Sequence, residues 1–133
     1  MDYAFDTNTV IQLMRGSPSV RENRERAQKS GARFVVPPVV NYEVRRGLII
    51  KPIPAHEKAY AVICENCLLP DMAADVWERA ARIYAELYDK HFTVNDADIL
   101  IAAFCIVNGY TLVTSNIKDF ENISGLRFVN WAE

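Results

Sequence analysis

The sequence has no apolar run long enough to cross a membrane. A transmembrane helix needs about 20 consecutive apolar residues, and charged residues interrupt every apolar stretch before that length. The first residues, MDYAFDTNTVIQLM, show neither the basic region nor the small-residue cleavage site of a signal peptide. We therefore expect a cytoplasmic protein that does not enter a membrane.

Cysteine and histidine are also scarce, with three Cys and two His. Cys64 and Cys67 form a C-x-x-C pair, but Cys105, His56 and His91 supply no second pair of ligands at a suitable spacing. A structural zinc site takes four such ligands. An odd number of cysteines without a secretion signal favours free thiols that pack as small core residues. Zinc binding or redox chemistry at the C-x-x-C is the less favoured alternative.

A surplus of positive charge is missing as well. The chain has 15 Lys and Arg against 17 Asp and Glu, which gives a formal net charge of -2. Domains that bind nucleic acid through their overall charge are strongly basic. Any contact with RNA or DNA must therefore use local basic patches.

Short β-branched runs alternate with helical segments along the whole chain. The predicted strands are DYAF (2–5), RFVVPP (33–38, halted by its prolines), YTLVTS (110–115) and LRFVNW (126–131), with CLLP (67–70) as a minor fifth. Helical spacing or end signals mark the intervening segments, including a long helix capped by Asp71, while 117–125 is predicted as a turn region. This pattern predicts one α/β domain over residues 1–133, with a central, mostly parallel sheet of four or five strands flanked by helices.

Acidic side chains fall where the strands of such a sheet would end. Asp6 closes the first strand, Glu43 lies early in the helix after the second, and Asp98 begins the helix that leads back to the third. Further candidates at this edge are Asp96, Asn116 and Asp119. In open parallel sheets, ligands bind beyond the carboxyl ends of the strands.

Each of these residues also has a purely structural explanation. Asp6 and Asp96 could cap helices, Glu43 could be a solvated helix residue, and Asp119 could form a turn. Carboxylates gathered beside the apolar run ILIAAF would, however, repel one another unless a cation neutralised them. Oxygen ligands without His or Cys favour Mg²⁺ or Mn²⁺. A metal site and helix capping are therefore the two competing hypotheses for this edge.

Four segments, in this order, resemble the PIN-domain family. They are FDTNTVI, VVNYEVRRGL, DADILIAAFCIVNGYTLVTSNIKDF and ISGLRFVNW, and together they extend over nearly the whole chain. The late segment is the most specific of them. Within the family, the sequence is most similar to the VapC-type toxins of bacterial type II toxin–antitoxin pairs.

The resemblance implies an endoribonuclease that depends on Mg²⁺ or Mn²⁺. It implies that Asp6, Glu43 and Asp98 form the metal site, with Asp96 as an additional acid. Asn116 stands where the family often has Asp, and Asp119 could partly compensate for it. The hydroxyls of Thr7 and Thr114 could orient a carboxylate or a phosphate. Basic residues that flank the motifs are the candidates for RNA contacts: Arg15, Arg45, Arg46 and Lys118.

The resemblance also implies partners, namely an RNA substrate, a VapB-type antitoxin and a second copy of the chain. A homodimer is favoured independently by apolar residues around the third helix that cannot all face one thin core. These residues are Val39, Val40, Leu48, Ile49, Ile50 and Ile53.

Two other functions compete with this one. DTNT is similar to the D-x-D-x-T motif of haloacid-dehalogenase-type phosphatases, although Asn8 stands where their general-acid Asp should be. A PIN-fold module that only binds a partner is the second alternative, and the presence of Asp6, Glu43 and Asp98 argues against it.

Overall fold

Four short strands form the centre of the computed structural model, which describes residues 1–133. They are β1 (Tyr3–Phe5), β2 (Phe34–Val35), β3 (Thr111–Val113) and β4 (Phe128–Val129). All pairs are parallel, and the strand order is β2-β1-β3-β4. The predicted fold class is therefore confirmed, with four strands. The segment CLLP adds a single bridge, between Val35 and Leu68.

Seven helices connect and cover the strands. They are α1 (Thr7–Met14), α2 (Pro18–Lys29), α3 (Pro38–Ile50), α4 (Pro54–Glu65), α5 (Ala74–Asp89), α6 (Asp96–Asn108) and α7 (Ile117–Phe120). Three of them begin with proline, which lacks an N–H at a position where that group would have no helical partner. None is both long and apolar enough to cross a bilayer.

Two predicted boundaries were wrong. Asp71 does not cap α5, because the helix begins at Ala74 and the extended residue Ala73 occupies the cap position. The predicted turn region contains α7, whose last residue Phe120 is fully buried. Burial of that ring against the core favours one helical turn over an open loop.

Helix α6 forms the centre of the core. Ile99 and the continuous run from Ile101 to Cys105 are buried, and the helix contacts α3, α5 and β3. A helix that is apolar all round has to be covered on all sides. Its first turn nevertheless reaches the carboxyl edge of the sheet, and this places Asp98 there.

The apolar surface around α3 is smaller than the sequence predicted. Val40 and Leu48 are buried in the core, whereas Ile49 and Ile50 are 66% and 81% exposed. A second exposed apolar surface, which the sequence analysis missed, consists of Trp77, Tyr84 and Tyr88 on α5. We call these three residues the α5 aromatic stripe.

Two glycines provide a matched test of the helix geometry. Gly109 ends α6 in the left-handed region, with φ of +74°, whereas Gly47 lies inside α3 with no heavy atom from outside its own helix and chain neighbours within 4 Å of where a Cβ would be. We expect Gly109→Ala to lower the free energy of unfolding by about 1–2 kcal/mol. Gly47→Ala should raise it by up to about 1 kcal/mol. Urea unfolding of both variants measures this, and shifts of the same sign would contradict the assigned backbone conformations.

Candidate active site

Asp6 is a buried carboxylate at the carboxyl end of β1. Asp6 is only 3% exposed. Oδ1 accepts a hydrogen bond from the Thr9 N–H at 2.8 Å, and Oδ2 accepts one from the Thr114 hydroxyl. Burial raises the pKa of Asp6, and these hydrogen bonds oppose that change. Asp6 is thus both the N-cap of α1, as the structural hypothesis proposed, and a partly compensated buried acid.

The pairing of β1 with β3 fixes the surroundings of Asp6. The Asp6 N–H donates to the Val113 carbonyl at 3.2 Å, and the Thr9 hydroxyl donates to the same carbonyl at 2.8 Å. Thr114, the residue directly after β3, then faces the carboxylate. The sequence analysis named Thr114 but missed Thr9. The signal for Thr9 was its position three residues after a capping Asp, where the N–H group needs an acceptor.

Glu43 projects from α3 toward the same edge. Its Oε1 accepts a hydrogen bond from the Thr7 hydroxyl at 2.8 Å. Its Oε2 lies 3.4 Å from the Arg46 guanidinium. Thr7 therefore orients a carboxylate, and one of the predicted RNA-binding arginines is engaged within the protein.

Asp98 lies in the first turn of α6 and forms two hydrogen bonds with the side chain of Asn95. The Asn95 side chain accepts from the Asp98 N–H at 2.9 Å and donates to Asp98 Oδ2 at 2.9 Å. Asn95, rather than Asp96, is the cap of this helix. The sequence analysis missed Asn95, although a reciprocal cap three residues before an acid resembles the capping-box pattern.

The charges around Asp98 identify its neighbours. Desolvation, followed by the negative charges of Asp119, Glu43 and Asp6, raises the pKa of Asp98 to about 6, against the opposing effect of the hydrogen bond from Asn95. Successive helical residues are separated by about 100°, so Asp96 projects about 200° away from Asp98 around α6. The geometry thus favours Asp119 over Asp96 as the fourth acid of the group.

The remaining predicted residues lie around this group. The Asn116 N–H donates to the Thr114 hydroxyl at 3.0 Å, which fixes residue 116 beside the partner of Asp6. Arg15, Arg45 and Lys118 are exposed. Arg46 is half exposed and also lies over the Tyr42 ring, at 5.1 Å from its centroid.

The donor chemistry of the group fits a divalent cation, although its present geometry does not enclose one. No three Asp, Glu, His or Cys side chains are arranged to hold an ion. The reason is that Glu43 is turned toward Thr7 and Arg46, and Asp98 toward Asn95. Carboxylate oxygens that raise one another's pKa are suitable ligands for Mg²⁺ or Mn²⁺. Asp6, Glu43 and Asp98 would supply the carboxylate oxygens for such an ion.

The sequence model of the PIN-domain family matches residues 3–126 of this chain. The chain belongs to the PIN-domain family. Ribonuclease VapC1 of Rickettsia felis is 33% identical to it over 132 residues, which cover 95% of this chain and 93% of the relative. The tRNA(fMet)-specific endonuclease VapC of Salmonella typhimurium is 29% identical and covers 98% of both chains.

A solved structure agrees with these sequence relatives. The crystal structure of VapBC2 from Rickettsia felis bound to a DNA fragment from their promoter superposes on this PIN domain with a TM-score of 0.91. The two chains are 26% identical, and the match covers 98% of this chain and 99% of the other. The resemblance to VapC-type proteins is therefore confirmed.

The raised pKa of Asp98 leads to a prediction about stability without metal. The folded PIN domain binds the Asp98 proton more tightly than the unfolded chain does, so protonation of Asp98 stabilises the folded state. This contribution to the free energy of unfolding is full below about pH 4 and is lost as the pH rises through about 6. The Asp98→Asn variant has no charge at this position, so it avoids this loss of stability. Its amide oxygen can still accept the hydrogen bond from Asn95. We expect the variant to be more stable than the parent at pH 7 in chelator and to vary less between pH 4 and 6.

Urea unfolding followed by tryptophan fluorescence at several pH values in EDTA measures this difference. Asp96→Asn is the matched control, because Asp96 projects away from the group and its replacement should leave the pH dependence unchanged. Parallel pH profiles for the parent and Asp98→Asn would contradict the proximity of Asp98 to the other acids.

Proposed function

We propose that this PIN domain is an endoribonuclease that requires Mg²⁺ or Mn²⁺ and acts as the toxin of a VapBC-type toxin–antitoxin pair. The observation that carries the proposal is the group of carboxylates at the sheet edge. Asp6 is buried there, and the negative charges of Asp6, Glu43 and Asp119 all raise the pKa of Asp98. Relatives with the same domain are a ribonuclease and a tRNA(fMet)-specific endonuclease. VapBC complexes supply the precedent for an antitoxin partner.

The reaction is hydrolysis of an RNA phosphodiester bond. A divalent ion supplies an acidified water and polarises a phosphoryl oxygen. Asp6, Glu43 and Asp98 would hold that ion, with Asp119 near enough to add charge and with Asn116 as a weaker contributor, whereas Asp96 projects away from it. Thr114 keeps Asp6 in place, while Thr7 and Asn95 set the starting orientations of Glu43 and Asp98.

The exposed cations would contact the RNA backbone. Arg15, Arg45 and Lys118 have no ion-pair partner, so they are available to phosphates. Arg46 is held by Glu43 in the structure described here. If Glu43 held an ion instead of Arg46, the Arg46 guanidinium would be available to the same RNA backbone.

Membership of the PIN family removes the basis for the phosphatase alternative, since the motif around Asn8 belongs to the PIN fold. The binding-module alternative remains a matter for experiment. We further propose that the protein acts in the cytoplasm on RNA and is held inactive by a VapB-type antitoxin.

Cleavage assays test the catalytic proposal directly. We expect Asp98→Asn to reduce RNA cleavage in Mg²⁺ or Mn²⁺ at least about a hundredfold, because it removes a charged ligand. Asp96→Asn should stay within about twofold of the parent, and EDTA should abolish cleavage by both. An end-labelled RNA resolved on a gel provides the measurement. Cleavage by Asp98→Asn at the parental rate, or by the parent in EDTA, would refute the assigned site.

We also predict a homodimer, formed through the α5 aromatic stripe. Trp and Tyr anchors dominate many interfaces, and Tyr84 and Tyr88 are already stacked, with centroids 6.4 Å apart. Light scattering at micromolar concentration should give a dimer mass for the parent and a monomer mass for Trp77→Lys combined with Tyr84→Lys. The control, Ile49→Lys with Ile50→Lys, should remain dimeric. A monomeric parent would contradict the dimer, and a monomeric control would assign it to α3.

A further inference from the structure

A cavity of about 290 Å³ opens beside Glu43, between α1, α3 and the start of α4. Half of its ten lining residues are apolar, with Ile11, Val44 and Ile53 among them. Glu43 lines one side, so the cavity adjoins the proposed catalytic group through this one side chain. Its occupant must therefore lie next to whatever occupies that group.

The charged side chains of the cavity are mainly basic. Arg15 and Lys51 line it together with His56, whereas Glu43 is its one acid. Neither Arg15 nor Lys51 forms an ion pair or a side-chain hydrogen bond within the chain, and Glu43 already has Arg46 as a partner. Apolar walls with unpaired cations suit an occupant that is apolar in one part and anionic in another.

Gly47 lines this cavity without a side chain. It lies inside α3, where glycine is less stable than alanine. Packing does not require glycine at this position. A Cβ added to Gly47 would have no heavy atom from another part of the protein within 4 Å. Because Gly47 lines the cavity, any larger residue there would narrow it.

We propose that the cavity is a nucleotide subsite, which binds the RNA residue adjoining the phosphate that is cleaved beside Asp6, Glu43 and Asp98. The base would rest on the apolar wall against Gly47, and Arg15 and Lys51 would bind the neighbouring phosphates. This inference rests on the proposed ribonuclease function. Charge favours RNA over a protein tail carrying basic residues, because Arg15 and Lys51 attract a polyanion and repel such a tail.

The base contact can be tested with a short cleavable RNA in which each position flanking the cut is replaced in turn by an abasic residue. For the parent, one position next to the cut should lose about tenfold in kcat/KM. For Gly47→Leu, cleavage of the intact RNA should fall by a similar factor, and the abasic replacement should cause little further loss. Gly47→Ala, which adds only one methyl group, should behave more like the parent.

The phosphate contact has its own matched pair of variants. Lys51→Gln should weaken binding of RNA and reduce the dependence of affinity on salt, whereas Lys58→Gln should change neither. Lys58 is an exposed lysine on α4 that does not line the cavity. Fluorescence anisotropy with the Asp98→Asn protein and a labelled RNA measures binding without cleavage. Because Lys51 is exposed, its replacement should not disturb folding.

The outcomes separate this inference from the proposed function. If the parent cleaves RNA but the abasic scan is flat and Gly47→Leu cuts normally, the subsite is refuted and the ribonuclease stands. If Gly47→Leu instead loses only its affinity for an antitoxin, the cavity belongs to that protein partner and the subsite is again refuted. If the parent neither binds nor cleaves RNA in Mg²⁺ or Mn²⁺, both proposals fail.

Discussion

The carboxylate of Asp6, buried between β1 and β3, is the constraint on which the rest of this edge depends. A charge with so little exposure is tolerated only when hydrogen bonds or opposite charges compensate it. The compensation comes from two directions, because the Thr9 N–H belongs to α1 and the Thr114 hydroxyl follows directly after β3. The start of α1, the register of β1 against β3 and the orientation of the acid are therefore set together. A shift of one residue in that register would take Thr114 away from Asp6.

The other acids are held more loosely than Asp6. Glu43 and Asp98 each accept hydrogen bonds from one or two side chains at the surface, and both are less buried than Asp6. Side chains of this kind can exchange their partners at little cost, whereas Asp6 cannot. This difference leaves one carboxylate fixed by the fold and two whose orientation depends on exchangeable partners.

The sequence was a good guide to what depends on strand ends and helix starts. The four parallel strands, the buried helix α6 and the convergence of Asp6, Glu43 and Asp98 follow from the order of apolar and polar segments. What the sequence did not indicate depends on angles around helices and on packing between distant segments. The sequence favoured Asp96 over Asp119 as a neighbour of Asp98, whereas the structure places Asp119 there. The position of each acid depends on the rotation around α6 and on the single turn of α7. The sequence indicated that the apolar residues around α3 could not all face one core, but which of them are buried, such as Val40 and Leu48, depends on the depth of the core beside α3.

Helix geometry also explains why only one of the acids carries a cation partner. Asp6 caps α1 and Asp98 lies in the first turn of α6, where the partial positive charge of a helix N-terminus stabilises a carboxylate. Glu43 lies beyond the first turn of α3, and that effect has decayed there. Arg46, one turn further along the same helix, supplies the missing positive charge. Under the proposed function, an ion held by Glu43 would supply this positive charge instead, and Arg46 would be available to the RNA backbone.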